Sequence, residues 1–207
     1  MKSAGFKTLN LSLGSTVPAQ LRRFNRANVT HAFEQALLWA ERCEMEAVGY
    51  IIAGAPYQAP EDSLTDLIYL SQKRVLAGLS IYYPSPGSAD YTMCKMKNLL
   101  PKSVSLMRSS ALPLSHTTSR LETATLFRLS RILNFLKLLR DQNHPLPEPA
   151  AFDGFLPDEC HKNRQATGRK LIQWLLHDGG IRGVTKAGDI YVHNIADWLA
   201  RRFVQNI

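Results

Sequence analysis

Glycine and proline end three apolar segments of the first half of the sequence. The segments finish in Leu-Gly-Ser (13–15), Ala-Gly-Ala-Pro (53–56) and Pro-Ser-Pro-Gly-Ser (84–88). A glycine lets backbone amides and carbonyls approach a ligand without a β-carbon in the way, and a proline makes the exit from a strand rigid. Each segment alone is ordinary turn chemistry. Three in succession predict a ligand site formed largely by exposed backbone.

Polar side chains near these segments add candidate ligand contacts. Ser12 lies at the end of the first apolar segment, and Arg26 follows it in RFNR. A solvated surface arginine and a core serine bonded to a neighbouring backbone group are the alternatives. Tyr82 and Tyr83 are adjacent, so their side chains point to opposite faces and at most one of them lines the site.

The elements that position these residues alternate between strand and helix. The pattern predicts a strand at 6–15, a helix at 29–43, a strand at 46–56, a helix at 61–74 and a strand at 75–88. The second strand is nearly continuous in apolar residues, so we expect it to be covered on both faces. Repeated β/α units favour an α/β fold with a parallel sheet, open or closed into a barrel. Ligands of such sheets bind at the carboxyl ends of the strands.

The second half of the chain is predicted to be mainly helical. A loop-rich passage runs to residue 119, and a long amphipathic helix follows at 120–140, capped by Thr118 or Ser119. His116 beside these hydroxyls also suggests a nucleophile and base, which we consider the weaker interpretation. After a proline-rich connector we expect a helix at 165–177, a hairpin turning at 186–189 and a helix at 195–204, with a core of Trp174, Trp198 and Phe203. The predicted divisions are 1–90, 91–145 and 146–207.

Charge and cysteine content exclude several classes of protein. The 207 residues carry a net charge of +8, spread along the chain, and hold no apolar run of the roughly 18 residues that cross a bilayer. We expect a cytoplasmic protein without a membrane anchor. The three cysteines are far apart and form no CxxC pair, which favours reduced thiols. Cys160 and His161, with Asp158, Glu159 and distant His177 or His193, have metal-ligand types but fit no zinc spacing.

The order of these segments resembles the C-terminal half of radical S-adenosylmethionine (SAM) enzymes. LNLSLGS, the arginine of LRRFNR, YIIAGAPYQ with a helix start behind it, and LSIYYPSPGS carry the resemblance over residues 2–88. It implies about three units of a partial (β/α)6 TIM-type barrel, followed by a helical extension with a small hairpin. The subfamily looks close to members with a cobalamin (B12) domain upstream. The rim of such a barrel holds a 4Fe-4S cluster and SAM, whose one-electron reduction gives a 5'-deoxyadenosyl radical.

The resemblance also implies roles for particular residues. Ser12 would face SAM, and Arg26 would meet the SAM carboxylate. The backbone at Ile52 and Gly54 would contact adenine, and Gln58 matches the glutamine that follows the G-x-P corner. Tyr82 and Tyr83 would lie near adenine and substrate. Tyr57 departs from the family, which commonly has glycine at that position, and this bears on the width of the adenine pocket.

The cluster-binding CxxxCxxC loop of the family is absent from the sequence. Three thiolates of that loop bind three irons and leave the fourth iron for SAM, but Cys43, Cys94 and Cys160 are predicted in a helix, a loop and a linker. The resemblance therefore implies a fragment that is inactive alone and needs an N-terminal half-barrel or upstream domain as partner. Its sheet would have an exposed edge where the earlier strands pair. The small-molecule substrate is not specified.

A non-catalytic binding or assembly module is the alternative from a different class. The helix, hairpin and helix at the C-terminus resemble a basic winged element that contacts nucleic-acid phosphates. Its basic residues are Arg164, Arg169, Lys170, Arg182, Lys186, Arg201 and Arg202. A structural cap on the barrel mouth or a dimer surface explains the same residues, and we favour it over nucleic-acid binding.

Overall fold

Three parallel strands form the central sheet, with the order β1-β2-β3. The structure is a computed structural model that describes residues 2–108, 114–157, 160 and 163–207. The strands and the helices between them are β1 (Thr8–Gly14), α1 (Pro18–Arg23), α2 (Thr30–Arg42), β2 (Glu46–Ala53), α3 (Pro60–Ser71) and β3 (Leu76–Ile81). The predicted α/β class and the parallel sheet are confirmed, and the three described strands do not close into a barrel.

The second half adds four helices and a hairpin within the described residues. They are α4 (Ala89–Met96), α5 (Arg120–Asp141), α6 (Arg164–Asp178), β4 (Arg182–Val184), β5 (Ile190–Val192) and α7 (Asp197–Val204). Short 3-10 turns lie at Lys2–Ala4 and Val104–Arg108. The predicted long helix and hairpin are confirmed. None of the helices in the described ranges is both long and apolar enough to cross a membrane.

Helix α4 lies in the passage that the sequence predicts to be a loop, so that expectation is wrong there. The side chain of Ser88 caps this helix by accepting a hydrogen bond from the amide of Tyr91 at 3.1 Å. The helix has eight residues and buries only Cys94, so it offers too little apolar periodicity to be recognised. Helix α1 is shorter still and was not predicted either.

Within the described residues, helices cover one face of the sheet and leave the other uncovered. Along β2, Gly49 and Ile51 are buried whereas Tyr50 between them is exposed. The expectation that β2 is covered on both faces is therefore wrong. Tyr50 belongs to the apolar run but has a hydroxyl, which donates to Asn10 on β1 at 3.3 Å. We call the uncovered side the open face. It presents Asn10, Ser12, Tyr50, Ile52 and Ser80, which the register places on one side.

The opposite face packs against α2, α3 and α5. Leu13, Ile51 and Leu67 belong to a continuous apolar core that extends to Phe203 on α7. Trp174 is fully buried in a smaller cluster with Leu156 and Cys160.

The predicted core roles of Trp174 and Phe203 are confirmed, whereas Trp198 is 38% exposed and its assignment is wrong. Trp198 and Phe203 are five positions apart. At 3.6 residues per turn this separation places them about 140° apart around α7.

Side chains of α5 close the outer edge of β3. Asn134 accepts a hydrogen bond from the amide of Ala77 through Oδ1 at 2.8 Å and donates to its carbonyl through Nδ2 at 2.9 Å. Ser130 donates to the same carbonyl at 3.2 Å. Asn134 thus substitutes for a neighbouring strand. No described strand pairs with the other edge of β1, so this edge is available to a further strand.

A half-buried lysine fixes the turn between α3 and β3. The ammonium of Lys137 on α5 donates to the carbonyls of Leu70, Lys73 and Val75 at 2.6, 2.6 and 2.7 Å. Burial lowers the pKa of Lys137 to about 8. The three carbonyls satisfy all three ammonium donors, so α5 holds both ends of this turn.

Replacing Asn134 tests whether its amide stabilises the sheet edge. The Asn134→Leu variant keeps the bulk but leaves the backbone groups of Ala77 without this partner. We expect the free energy of unfolding to fall by about 1–3 kcal/mol, the cost of a buried unpaired polar group. Urea unfolding monitored by circular dichroism measures it. The control is Arg131→Leu, at an exposed position of the same helix. Equal stability of the two variants would show that Asn134 is dispensable.

Candidate functional site

The end of β1 brings Ser12 and Arg26 together. Gly14 has a left-handed backbone with φ of 79°, next to a bulge in the β1–β2 register. A β-carbon at Gly14 would lie 2.8 Å from Nη1 of Arg26, so the guanidinium occupies the space that a larger residue would fill. The same Nη1 donates to Oγ of Ser12 at 3.1 Å. Glycine at position 14 therefore permits the left-handed backbone and leaves space for the Arg26 guanidinium.

A buried carboxylate anchors the loop that leaves β1. Both the amide and the hydroxyl of Thr16 donate to Oδ1 of Asp66 on α3, each at 2.6 Å. Asp66 is fully buried, and this burial raises the pKa of its carboxyl to about 6. Sequence reasoning missed Asp66. An acidic residue next to apolar Leu67 on the covered side of an amphipathic helix was the available signal.

The loop between β2 and α3 is held by the side chain of Gln58. Its Nε2 donates to the carbonyl of Ile52 at 2.8 Å, and its Oε1 accepts from the amide of Ala55 at 3.1 Å. Gln58 is fully buried. Gly54, with φ of 70°, lies within this ring of bonds. Both ends of the Gln58 amide are used inside the loop, so this residue determines the course of the chain.

Residues 114–118 lie against the same loop. The hydroxyl of Ser115 donates to the carbonyl of Ala55 at 3.3 Å, and those of Thr117 and Thr118 donate to the carbonyl of Gln58 at 2.7 and 2.9 Å. Ser119 begins α5 through a capping box with Glu122. The predicted helix start is confirmed at Ser119. The neighbouring hydroxyls bind backbone carbonyls, which is a positioning role.

Tyr57 stands at the rim between Arg23 and His116. Its backbone is left-handed, with φ of 64°. Glycine adopts this conformation without strain, whereas a non-glycine residue pays about 1–2 kcal/mol. The guanidinium of Arg23 lies 3.9 Å above the ring centroid, and the His116 ring meets the Tyr57 ring edge-on at 4.4 Å. The resemblance expects glycine at position 57, and the backbone there has the conformation that glycine favours. The Tyr57 ring narrows the rim at this position.

The end of β3 places Tyr82 beside the residues that follow β1. The Tyr82 ring stacks on Phe24 with 6.0 Å between centroids, and its hydroxyl donates to Oδ2 of Asp90 at 2.5 Å. Burial, followed by the bond to Asp90, raises the pKa of Tyr82. Tyr83 is half-buried, and burial raises its pKa as well.

The three strand ends meet at one cavity. It has a volume of about 90 Å³ and is lined by Arg23, Phe24, Ala55, Pro56 and Asp90. These residues come from the segments that follow β1, β2 and β3. Pockets for whole drug-sized ligands measure roughly 300–1,000 Å³, so this cavity admits only part of such a ligand. A larger and more open cavity of about 460 Å³ lies between residues 152–156 and the hairpin, and its lining includes no residue of the central sheet.

The cysteines do not converge. Cys43 is exposed directly after α2, Cys94 is buried in α4, and Cys160 is buried against Trp174. The prediction that Cys94 lies in a loop is wrong. Asp158, Glu159 and His161 lie outside the described residues. Within the ranges that are described, no three His, Cys, Asp or Glu side chains are grouped so that they could hold a metal ion.

Several basic residues of the C-terminal element bind other parts of the chain. Arg169 donates to the carbonyl of Pro145 at 2.8 Å. Lys170 forms an ion pair with Asp153 at 2.8 Å, and Arg182 forms one with Asp178 at 2.6 Å. The charges of Lys170 and Arg182 are thus paired within the chain, which weakens the argument that they bind phosphates. Arg164, Lys186, Arg201 and Arg202 are partly or fully exposed.

The raised pKa of Asp66 predicts how stability depends on pH. Its folded value of about 6 exceeds the ordinary 3.8, so the folded protein binds more protons than the unfolded chain between these values. The stability that Asp66 contributes is therefore fully present below pH 4 and is lost as the pH rises through 6.

The Asp66→Asn variant keeps an acceptor for Thr16 and cannot titrate. Between pH 4 and 7 we expect the wild type to lose up to about 3 kcal/mol of unfolding free energy relative to the variant. Urea titrations at each pH measure this difference. Glu61→Gln, at an exposed position of the same helix, controls for the loss of one carboxylate. A difference that stays constant with pH would contradict the prediction.

Comparisons with known proteins do not assign the chain to a family. No protein-family model matches it, and a search of curated proteins finds no match.

Proposed function

We propose that this chain supplies the C-terminal β/α units of a radical SAM enzyme and that the carboxyl edge of its sheet binds SAM. The observation that carries the proposal is the contact between Arg26 and Ser12 beside Gly14, at the sheet edge where β2 and β3 also end. The sequence resemblance predicts a carboxylate-binding arginine and a SAM-facing serine at these two positions. Their direct contact in the fold supports that assignment.

The residues at this edge suit the two ends of SAM. In the proposal the exposed guanidinium of Arg26 binds the carboxylate, with Ser12 orienting it. The backbone around Gly54 contacts adenine, since no β-carbon blocks approach there. Gln58 holds this loop in place from its buried position. Ile52 presents its side chain on the open face, and Tyr82 and Tyr83 directly follow β3. When bound and reduced by one electron, SAM supplies a 5'-deoxyadenosyl radical.

The cysteines of the chain do not fit a 4Fe-4S cluster. Cys94 and Cys160 are buried in different parts of the fold, and Cys43 is exposed at the end of α2. Cluster ligation in the proposal therefore falls to a different polypeptide segment, and no step at this site is assigned to the cluster. Cobalamin, if the complete enzyme uses it, belongs to such a segment too.

The sheet itself supports a partner segment. Parallel sheets almost always have both faces covered, yet the open face here carries Tyr50 in contact with water. None of the described strands pairs with the outer edge of β1, so its backbone groups can pair with another strand. We propose that an N-terminal half-barrel, in the same polypeptide or a separate one, pairs with β1 and encloses the open face. A small-molecule substrate would then lie in the space between them.

Binding of S-adenosylhomocysteine, the stable thioether analogue of SAM, tests the proposal. We expect the chain to bind it and Arg26→Gln to weaken binding by about 10-fold or more, since a hydrogen bond to a charged group contributes about 1.5–3 kcal/mol. Isothermal titration calorimetry measures the affinity. Arg22→Gln, at an exposed position of α1, is the matched control. Absence of binding by the unaltered chain, or equal affinities of the two variants, would contradict the proposal.

A further inference from the structure

The cavity at the strand ends carries charges of both signs. Arg23 and Asp90 both line it, together with the apolar surfaces of Phe24, Ala55 and Pro56. Within the described part of the chain, Arg23 and Asp90 form no ion pair with one another. A cavity with a cation and an anion on its walls favours a ligand that carries the complementary pair of charges.

Arg23, the cation that lines the cavity, is held in place by an aromatic contact. The guanidinium of Arg23 lies over the Tyr57 ring at 3.9 Å, which restrains the side chain and leaves its edge donors available to an anion. The neighbourhood is positive as well. Burial and then the charges of Lys97 and Arg23 lower the pKa of His116, whose ring contacts Tyr57.

Asp90, the anion that lines the cavity, is also held in place. Asp90 lies in the first turn of α4, and its Oδ2 accepts the hydrogen bond from Tyr82 at 2.5 Å. Tyr82 is in turn held by stacking on Phe24. A carboxylate restrained in this way is a ready acceptor for an ammonium group, because little side-chain entropy remains to be lost on binding.

We propose that this cavity binds the zwitterionic end of the substrate, an anionic group joined through one or two carbons to a primary amine. The inference rests on the proposed function and identifies the substrate class of the same site. Arg23 binds the anion and Asp90 binds the amine. A water molecule occupies about 30 Å³ in the liquid, so the volume of about 90 Å³ suits an end group rather than a whole substrate.

The probes are β-alanine, which has both charges, and the single-charge analogues propionate and propylamine. Binding to the whole chain is followed by changes in the nuclear magnetic resonance spectrum. We expect β-alanine to bind at least 10-fold more tightly than either analogue. Arg23→Gln and Asp90→Asn should each remove this preference, whereas Arg22→Gln, which does not line the cavity, should retain it. Equal binding of all three probes, or no saturable binding of β-alanine, would overturn the inference.

A titration with S-adenosylhomocysteine separates this inference from the proposed function. We expect its affinity to be unchanged at saturating β-alanine, because the two ligands use Arg26 and Arg23 respectively. Competition would place the amino-carboxylate tail of the nucleoside in this cavity, which overturns the inference and leaves the proposed function standing. Binding of β-alanine without binding of S-adenosylhomocysteine would refute the proposed function.

Discussion

The pairing of backbone groups at the two edges of the parallel sheet governs the rest of this structure. At β3 the amide of Asn134 occupies both the donor and the acceptor of Ala77, so α5 caps the outer edge at this residue. At β1 no described element does this. The helices that the structure describes cover one face of the sheet, and Tyr50 on the other face is exposed. Further structure can therefore be added at the β1 edge of the sheet and on the open face.

The carboxyl edge of the sheet is shaped by loops that are fixed from within. Asp66 binds the segment after β1, Gln58 binds the segment after β2, and the hydroxyls of Thr117 and Thr118 bind the carbonyl of Gln58. None of these bonds requires a ligand. The edge is therefore organised in advance, which lowers the entropy lost when a ligand binds. The left-handed backbone of Tyr57 is a strained feature of the kind that clusters at binding sites.

The alternation of strands and helices and the meeting of the three strand ends follow from the sequence, because apolar periodicity and turn residues are local properties. The contact between Ser12 and Arg26 depends on the left-handed Gly14, so the glycine was a usable signal. The exposure of Tyr50 was not predictable. An apolar run does not reveal how many faces of the sheet are covered, since that depends on elements far away in the chain.

Asp66 and Asp90 illustrate a different limit. Both look like ordinary acidic residues of helices, yet one holds a loop through Thr16 and the other binds Tyr82 from across the site. Thr16 is 50 positions away from Asp66 along the chain, and Asp90 lies on a short helix without clear periodicity. Long-range hydrogen bonds of this kind become visible only in the folded structure. The same is true of Lys137, whose three carbonyl partners lie more than 60 positions away.

A crystal structure of the chain with S-adenosylhomocysteine tests the central claim most directly, because it locates the nucleoside relative to the strand ends. The account predicts electron density at the carboxyl edge of the sheet, with the ligand carboxylate bound to Arg26 and adenine beside Gly54. Density in the cavity near Phe152 and the hairpin, or none at the sheet edge under saturating ligand, would contradict it.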